Sequence, residues 1–281
     1  MPVHHFIPDD SLVDSLSDDL SSPLKLYPSK PKKVYVFGTC LVDLFYPEAG
    51  MSGVLLLEHA GVEVLFPQDQ TCCGQPAYTS GYKEEARSVA LAQMSLFNEE
   101  YPIVVPSGSC GGMMKMHYPR LFEGTEYDQQ AQEFSERIYE LTDFLVHVCD
   151  LPLVDQGEQT KIALHTSCSS RREMKTTDSG KALLKQLKNV NLVEPEKVTE
   201  CCGFGGAFSV RHPEISNAMV KDKLDHLSNT KADTFLSSDC GCLMNIKGAA
   251  EKDKSALTLR SGEHLLSFVA RRVGLIEGGS E

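Results

Sequence analysis

One tripeptide occurs twice in the chain, as Cys72-Cys73-Gly74 and, 129 residues later, as Cys201-Cys202-Gly203. A disulfide between neighbouring cysteines would distort the peptide that joins them, so adjacent cysteines are unusual as a structural pair. Two adjacent thiolates can instead bind a metal centre larger than a single ion. The glycine that follows suits a tight turn, because it has no side chain to block a close approach of the backbone.

Further cysteines frame each pair at matching distances. In the first copy a cysteine lies 32 residues before the pair and another lies 37 residues after it. In the second copy the distances are 33 residues before, and 38 and 40 residues after. Nine of the ten cysteines therefore repeat one pattern, which predicts an internal duplication: Cys40, Cys72, Cys73 and Cys110, then Cys168, Cys201, Cys202, Cys240 and Cys242.

Composition limits the class of protein. A chain of 281 residues is long for a disulfide-stapled secreted scaffold. The N-terminus lacks a basic start followed by an apolar run, and the chain lacks an apolar stretch of about 18 residues, so we expect neither a signal peptide nor a transmembrane segment. The net charge of −12 argues against nucleic acid as a partner. We therefore predict a cytoplasmic protein whose clustered cysteines serve metal or redox chemistry.

Apolar runs alternate with helical patterns, and they do so in the same order in both halves. This alternation predicts an α/β fold, made by internal duplication of a Rossmann-like unit with a parallel sheet. The expected strands are 33–37, 62–66, 103–105, 161–165, 191–195 and 233–236. A long helix over 128–148 is expected to close the first half, and a helix over 262–273 the second.

Three segments follow from this pattern. Residues 1–31 are rich in Asp, Ser and Pro and predict a disordered acidic tail. The two repeated units are expected at 32–155 and 156–275. Ligands of parallel α/β sheets collect at the carboxyl ends of the strands, and the patterned cysteines lie just beyond expected strands. Each half can thus gather its cysteines at one edge of its sheet.

Three kinds of site are open to such cysteines. Iron–sulfur clusters use thiolate ligands as a rule, and adjacent cysteines can reach different irons. Structural zinc usually takes two close pairs with two to four residues between the ligands, a spacing that these cysteines do not show. A bare dithiol redox site needs no third or fourth cysteine. The pattern therefore favours an iron–sulfur cluster in one or both halves.

The repeated motifs resemble the CCG (cysteine-rich) domain family, which includes the cysteine-rich subunit of heterodisulfide reductase and the iron–sulfur subunits of glycolate oxidase and anaerobic glycerol-3-phosphate dehydrogenase. The chain is most similar to the short lactate-utilization branch, which has two CCG domains and little else. The resemblance covers about residues 33–274. Its motifs are Gly38-Thr-Cys40, the segments 71–77 and 107–110, His165-Thr-Ser-Cys168, and the segments 200–206 and 242–245.

The resemblance implies an iron–sulfur subunit, with one or two clusters of the 4Fe–4S type. Such a subunit transfers electrons in a complex that oxidises L-lactate to pyruvate with two other subunits, one of them a ferredoxin-type protein. Two other functions stay open: a thiol–disulfide reductase like heterodisulfide reductase, and a non-catalytic assembly subunit that metal stabilises. Whether the chain is itself an enzyme depends on which of these functions it has.

The chain departs from the heterodisulfide reductase pattern, in which each domain supplies five cysteines that end in a Cys-x-x-Cys pair. Ser107 stands where the first cysteine of that pair would be in the first half, and Asp239 or Cys240 stands there in the second. We therefore expect at least one cluster, in the second half with its five thiols, and a second site at the first-half quartet.

Two further residues are candidates to act on a cluster from outside its ligand set. His165 lies three residues before Cys168 and can hydrogen-bond a sulfur, or it can be a strand-end histidine that the backbone satisfies. Arg172 belongs to the pair Arg171-Arg172 that follows Cys168; the pair can offset the negative charge of a thiolate-bound cluster, or it can be a solvated surface pair.

Overall fold

The computed structural model describes residues 26–253, 259 and 261–277. The predicted acidic tail lies outside these residues, apart from 26–31. Tyr27 lies close to the start of the described part. Its hydroxyl donates a 2.9 Å hydrogen bond to Asp143, and its ring stacks on that of His147 at 4.6 Å between centroids. The described end of the tail is therefore anchored on the first half.

Each half contains a four-stranded parallel sheet, as the duplicated α/β pattern predicts. The strand orders are β2-β1-β3-β4 and β6-β5-β7-β8, so the two sheets have the same topology. The strands of the first sheet are β1 Lys33–Val36, β2 Glu63–Leu65, β3 Ile103–Val105 and β4 Ile138–Glu140. Those of the second are β5 Thr160–His165, β6 Val190–Val193, β7 Thr234–Ser237 and β8 Glu263–His264.

Helices connect the parallel strands, as parallel pairing requires. The first half contains α1 Cys40–Phe45, α2 Pro47–His59, α3 Gln75–Thr79, α4 Lys83–Met94, α5 Gly108–Gly112, a π-helical turn Met113–His117, α6 Tyr118–Phe122, α7 Asp128–Glu136 and α8 Leu141–His147. The second contains a π-helical turn Ser170–Met174, α9 Thr177–Lys185, α10 Phe208–Arg211, α11 Pro213–Asn229, α12 Cys240–Lys252 and α13 Leu265–Arg272. None of the helices in the described residues has the length and apolarity needed to cross a bilayer.

The fourth strand of each sheet was missed by the sequence prediction. The single helix expected over 128–148 is two helices with β4 between them, and the start of the helix expected over 262–273 is β8. Both strands are short, and each runs straight into a helix that its last residue caps. A helical apolar pattern extends across such a strand, because only pairing with β3 or β7 makes the segment extended.

One apolar core joins the two halves. It contains Val34 and Val36 of the first sheet, Ile162 and Leu164 of the second, and the helices between the sheets. Helix α13 packs on α2, and α9 packs on α8, so each contact pairs a helix of one half with a helix of the other. Two smaller cores cover the outer faces of the two sheets. The two halves are therefore packed through buried apolar surface, the dominant favourable contribution to folding.

His264 also binds the halves together. Its Nδ1 accepts the Leu266 N–H at 3.2 Å and caps α13, and its Nε2 lies 3.2 Å from the carbonyl oxygen of Pro106 in the first half. A neutral ring protonated on Nε2 satisfies both contacts, since the carbonyl can only accept. Burial lowers the pKa of His264 from 6.5 to about 4.

The pKa of His264 predicts a loss of stability in acid. Folding lowers the pKa of this histidine, so the unfolded chain binds its proton more readily than the folded chain does. The neutral ring is therefore compatible with the full stability of the fold above pH 6.5, and stability falls as the pH drops from there toward 4. At about 1.36 kcal/mol per pH unit, the wild type should lose about 2 kcal/mol more than His264→Gln between pH 7.5 and pH 5. Urea unfolding at the two pH values measures this, with the exposed His59→Gln as control. An equal loss in His264→Gln would contradict the assignment.

Candidate metal centre

The nine patterned cysteines lie beyond the carboxyl ends of the strands. Cys40 opens α1 after β1, the turn at Cys72 follows β2, and Cys110 lies in α5 after β3. The second half repeats this placement after β5, β6 and β7. Because the strands are parallel, residues far apart in sequence meet at one edge of each sheet.

Four thiols of the first half meet as an uninterrupted chain of contacts. The side chain of Cys40 hydrogen-bonds Cys72, Cys72 hydrogen-bonds Cys73, and Cys73 hydrogen-bonds Cys110. The charges of Cys40 and Cys110 also interact. We call these four residues the first quartet.

The environment of the first quartet favours one thiolate at its centre. Hydrogen bonds from Cys40 and then Cys73 lower the pKa of Cys72, and the Gly74 N–H adds a 3.4 Å bond to its sulfur. The same thiol contacts, together with burial, raise the pKa of Cys40 and of Cys73. A soft cation that replaces the shared protons can be bound by all four sulfurs.

The second half forms a matching set, which we call the second quartet. Cys168 hydrogen-bonds Cys201, Cys201 hydrogen-bonds Cys202, and Cys202 hydrogen-bonds Cys242. The Gly203 N–H lies 3.4 Å from the Cys201 sulfur, as the Gly74 N–H does from Cys72. The two quartets thus repeat one geometry, down to the backbone bond at the Cys-Cys-Gly turn.

His165 lies against the second quartet. A nitrogen of its ring and the sulfurs of Cys202 and Cys242 all lie within 4.8 Å of one another. The residue is 2% exposed, and its Nε2 has no hydrogen-bond partner among the described residues. Burial, with Lys223 and Arg171, lowers its pKa from 6.5 to about 3, so the ring is neutral. A buried, neutral ring beside two thiols, with one nitrogen unpartnered, fits a site built for a sulfur-bound group.

Cys240 does not take part in the thiol contacts that define the second quartet. Burial and the charges of Asp239 and Cys110 raise its pKa, and Cys110 belongs to the first quartet. Each half therefore has four thiols in contact, and Cys240 lies apart from the other four thiols of the second half. The reason is local: Cys240 and Cys242 are two residues apart on α12, so they leave the helix on different sides.

Charged side chains surround the second quartet, and one of them, Lys223, was not singled out from the sequence. Arg171, rather than the expected Arg172, faces the site; its charge interacts with Cys168, and it donates a 2.8 Å bond to the carbonyl of Val198. Arg172 is exposed. Lys223 is fully buried, and its charge interacts with Cys202 and Cys201. The sequence feature that could have identified Lys223 is its position in the apolar stripe of α11.

The residues beside the two quartets differ at equivalent positions. Gln93 occupies the place of Lys223 on the equivalent helix, and its amide bonds the Thr71 N–H and hydroxyl at 3.0 and 2.8 Å. Phe37 ends the strand segment that corresponds to the one ending in His165. A nearby cation favours the more negative state of a cluster. The two sites therefore offer different electrostatic surroundings to one kind of bound group.

A cavity of about 410 Å³ opens beside the second quartet. Cys201 lines it together with Thr79 of the first half and the exposed Arg211 and His212 of the second. The first half thus contributes to the walls around a thiol of the second quartet. A small molecule has access to Cys201 from this side.

The family model of the cysteine-rich domain, CCG, matches the chain twice, at residues 34–115 and 162–247. The chain belongs to the CCG family. The matches include all nine patterned cysteines, and they confirm both the resemblance and the duplicated α/β fold expected from the motifs. The all-sulfur donor sets of this CCG protein fit a metal or iron–sulfur cofactor.

Three curated relatives of this CCG protein are named for lactate utilization. Lactate utilization protein A of Geobacillus sp. (strain WCH70) is 43% identical over 78% of this chain and 92% of the relative. The protein of the same name from Shouchella clausii (strain KSM-K16) is 40% identical, over 81% and 95%. Lactate utilization protein A 1 of Bacillus mycoides (strain KBAB4) is 44% identical, over 86% and 100%. The chain thus spans nearly the full length of these relatives.

The glycines of the two Cys-Cys-Gly turns offer a matched test. Gly74 and Gly203 have φ of 83° and 84°, a left-handed conformation that costs a residue with a side chain about 1–2 kcal/mol. A Cβ at Gly203 would also lie 2.8 Å from the carbonyl oxygen of Ser216, whereas at Gly74 the nearest atom is 3.5 Å away.

We expect Gly203→Ala to destabilise the metal-free chain by about 2–4 kcal/mol, because overpacking adds to the backbone strain. Gly74→Ala should cost about 1–2 kcal/mol, from the strain alone. Urea unfolding of both variants measures the difference. Equal costs would show that the backbone around Ser216 moves aside freely.

Proposed function

We propose that the chain is the iron–sulfur, electron-transferring subunit of a complex that oxidises L-lactate to pyruvate. The observation that carries the proposal is the pair of matching thiol quartets, in a chain related along most of its length to proteins named for lactate utilization. The quartets support a cofactor that is bound by sulfur alone. The names of the relatives support lactate as the substrate.

The proposed ligands are the first quartet, the second quartet and Cys240. A 4Fe–4S-type cluster, one or two per chain, supplies one-electron storage when bound. The turn glycines donate N–H groups to Cys72 and Cys201, which stabilises negative charge on those sulfurs. At the second quartet, the positive charges of Arg171 and Lys223 also stabilise negative charge on the sulfurs.

We propose two partner subunits, one of them a ferredoxin-type iron–sulfur protein that exchanges electrons with this chain. The ligand motif of a ferredoxin, with two residues between successive cysteines, is absent from the sequence. We place the complex in the cytoplasm, where reducing conditions keep thiols free. All ten cysteines are free thiols in the structure.

The first test is chemical. Iron and acid-labile sulfide are measured per chain on anaerobically prepared protein, with an EPR spectrum of the same sample. About four irons indicate one cluster and about eight indicate two. Protein that contains zinc and cannot be reconstituted with iron and sulfide would refute the proposal.

The second test asks for the substrate. A Bacillus mycoides strain that lacks its lactate utilization protein A 1 is supplied with the gene for this chain and grown on L-lactate. We expect growth with the wild type and with Cys149→Ser, whose thiol lies in the core outside both quartets. Cys201→Ser should not support growth. Equal growth with Cys201→Ser would contradict a role for the second quartet in lactate oxidation.

The cavity at Cys201 favours a second candidate function, a thiol–disulfide reductase whose substrate reaches the second quartet. Reduction of a small disulfide by the isolated, iron-loaded chain with an artificial electron donor distinguishes it from the first. The proposed electron carrier should exchange electrons with a ferredoxin but leave the disulfide intact.

A further inference from the structure

Asp239 connects the two sites through one buried carboxylate. One of its oxygens accepts the Ser107 hydroxyl at 3.1 Å and the Ser109 N–H at 2.9 Å. The other accepts the Gly241 and Cys242 N–H groups at 3.1 and 3.4 Å. The carboxylate therefore holds the turn before Cys110 against the start of α12.

These bonds fix the position of Cys240. The residue follows Asp239 directly, as Cys110 follows Ser109, so two hydrogen-bonded neighbours bring the two cysteines to one junction. The contact between His264 and Pro106 closes the same junction from β8. Cys240 is 1% exposed, and it lies close enough to Cys110 and Tyr46, both in the first half, for the ionised forms of these groups to repel one another.

Cys242 leaves the same helix toward the other side. Its sulfur contacts Cys202 and lies within 4.8 Å of a ring nitrogen of His165. One turn of α12 thus presents a thiol to each site, and the packing of α12 against α1, the helix that begins at Cys40, keeps the first of them in place.

We propose that Cys240 completes the first metal centre, so that the second half donates a fifth sulfur to Cys40, Cys72, Cys73 and Cys110. The inference rests on the proposed metal-binding function and deepens it. The first centre is then assembled only when the two halves are packed together, whereas the second centre is formed within its own half.

The first experiment compares iron-loaded variants by EPR. Cys72→Ser identifies the signal of the first centre, and Cys201→Ser identifies that of the second. We expect Cys240→Ser to alter or remove the first signal and to leave the second unchanged. An effect on the second signal, or on neither, would overturn the proposal.

The second experiment uses Cd²⁺ alone and needs no cluster, so it separates this inference from the proposed function. Thiolate-to-Cd²⁺ charge-transfer absorption at saturation rises with the number of bound thiolates. In a chain with Cys168, Cys201, Cys202 and Cys242 all replaced by Ser, only the first site remains, and Cys240→Ser should lower the absorption by about one thiolate in five. In a chain with Cys40, Cys72, Cys73 and Cys110 all replaced by Ser, only the second site remains, and Cys240→Ser should change nothing. A loss in the chain that keeps the second site, or none in the chain that keeps the first, refutes the inference; Cys240→Ala repeats the test without a buried hydroxyl.

Discussion

Replacing Cys201 with Ser should remove the iron of the second centre and leave the first centre loaded, and Cys72→Ser should do the reverse. Each of these residues is the middle of its thiol chain, in contact with two other sulfurs and with a turn N–H. A cysteine thiol loses its proton when it binds iron, whereas a serine hydroxyl keeps its proton. The serine oxygen is also a harder ligand, which suits an iron–sulfur cluster less well. Each variant should therefore retain about half of the wild-type iron.

Iron and sulfide analysis with EPR measures this result on anaerobically prepared protein. Cys149→Ser is the matched control, since Cys149 is a buried thiol of the shared core and lies outside both quartets. It should keep the full iron content. Loss of all iron in both Cys72→Ser and Cys201→Ser would contradict two separate centres and indicate a single shared one.

Leu266→Ala should destabilise the chain by about 2–5 kcal/mol. Leu266 is fully buried in the core that joins the halves. It lies on α13 against α2, where a Cβ added at Gly53 would be 3.4 Å from its Cδ1. The truncation removes most of an apolar side chain at a place where two helices already pack closely, so the cavity cannot easily collapse.

Urea unfolding of the metal-free variant measures the cost of Leu266→Ala. Leu26→Ala is the control, because Leu26 is 91% exposed and its truncation should change stability by less than about 0.5 kcal/mol. Since the first centre is proposed to take a thiol from the second half, Leu266→Ala should also weaken iron binding there first. A cost below about 1 kcal/mol would mean that the halves are not held together by this core.

The electrostatic difference between the quartets gives the duplication a functional meaning. Duplication of one unit yields two sites of the same shape, and Lys223 in place of Gln93 then changes the charge beside only one of them. A buried cation next to a cluster favours its reduced state. Under the proposed function, two centres with unlike potentials would suit the passage of electrons in one direction.

The sequence predicted those features that repeat at short range. Alternating apolar runs indicated six of the eight strands, and the spacing of the cysteines placed each one after a strand. It missed β4 and β8, because segments of three and two residues become strands only through pairing with β3 and β7. It also favoured Arg172 over Arg171, a choice that depends on which side of the π-helical turn faces Cys168.

The sequence by itself determined the duplication, the parallel α/β class and the set of cysteines, since these follow from periodicity and from the chemistry of residue types. Only the tertiary structure brought Cys240 to the junction between the two halves. Asp239, Ser107 and Cys240 meet across 130 residues of chain or more, and hydrogen bonds between the halves set their arrangement. Such long-range contacts leave no periodic trace in the sequence, so the proposed assignment of Cys240 to the first centre depends on how the two halves pack.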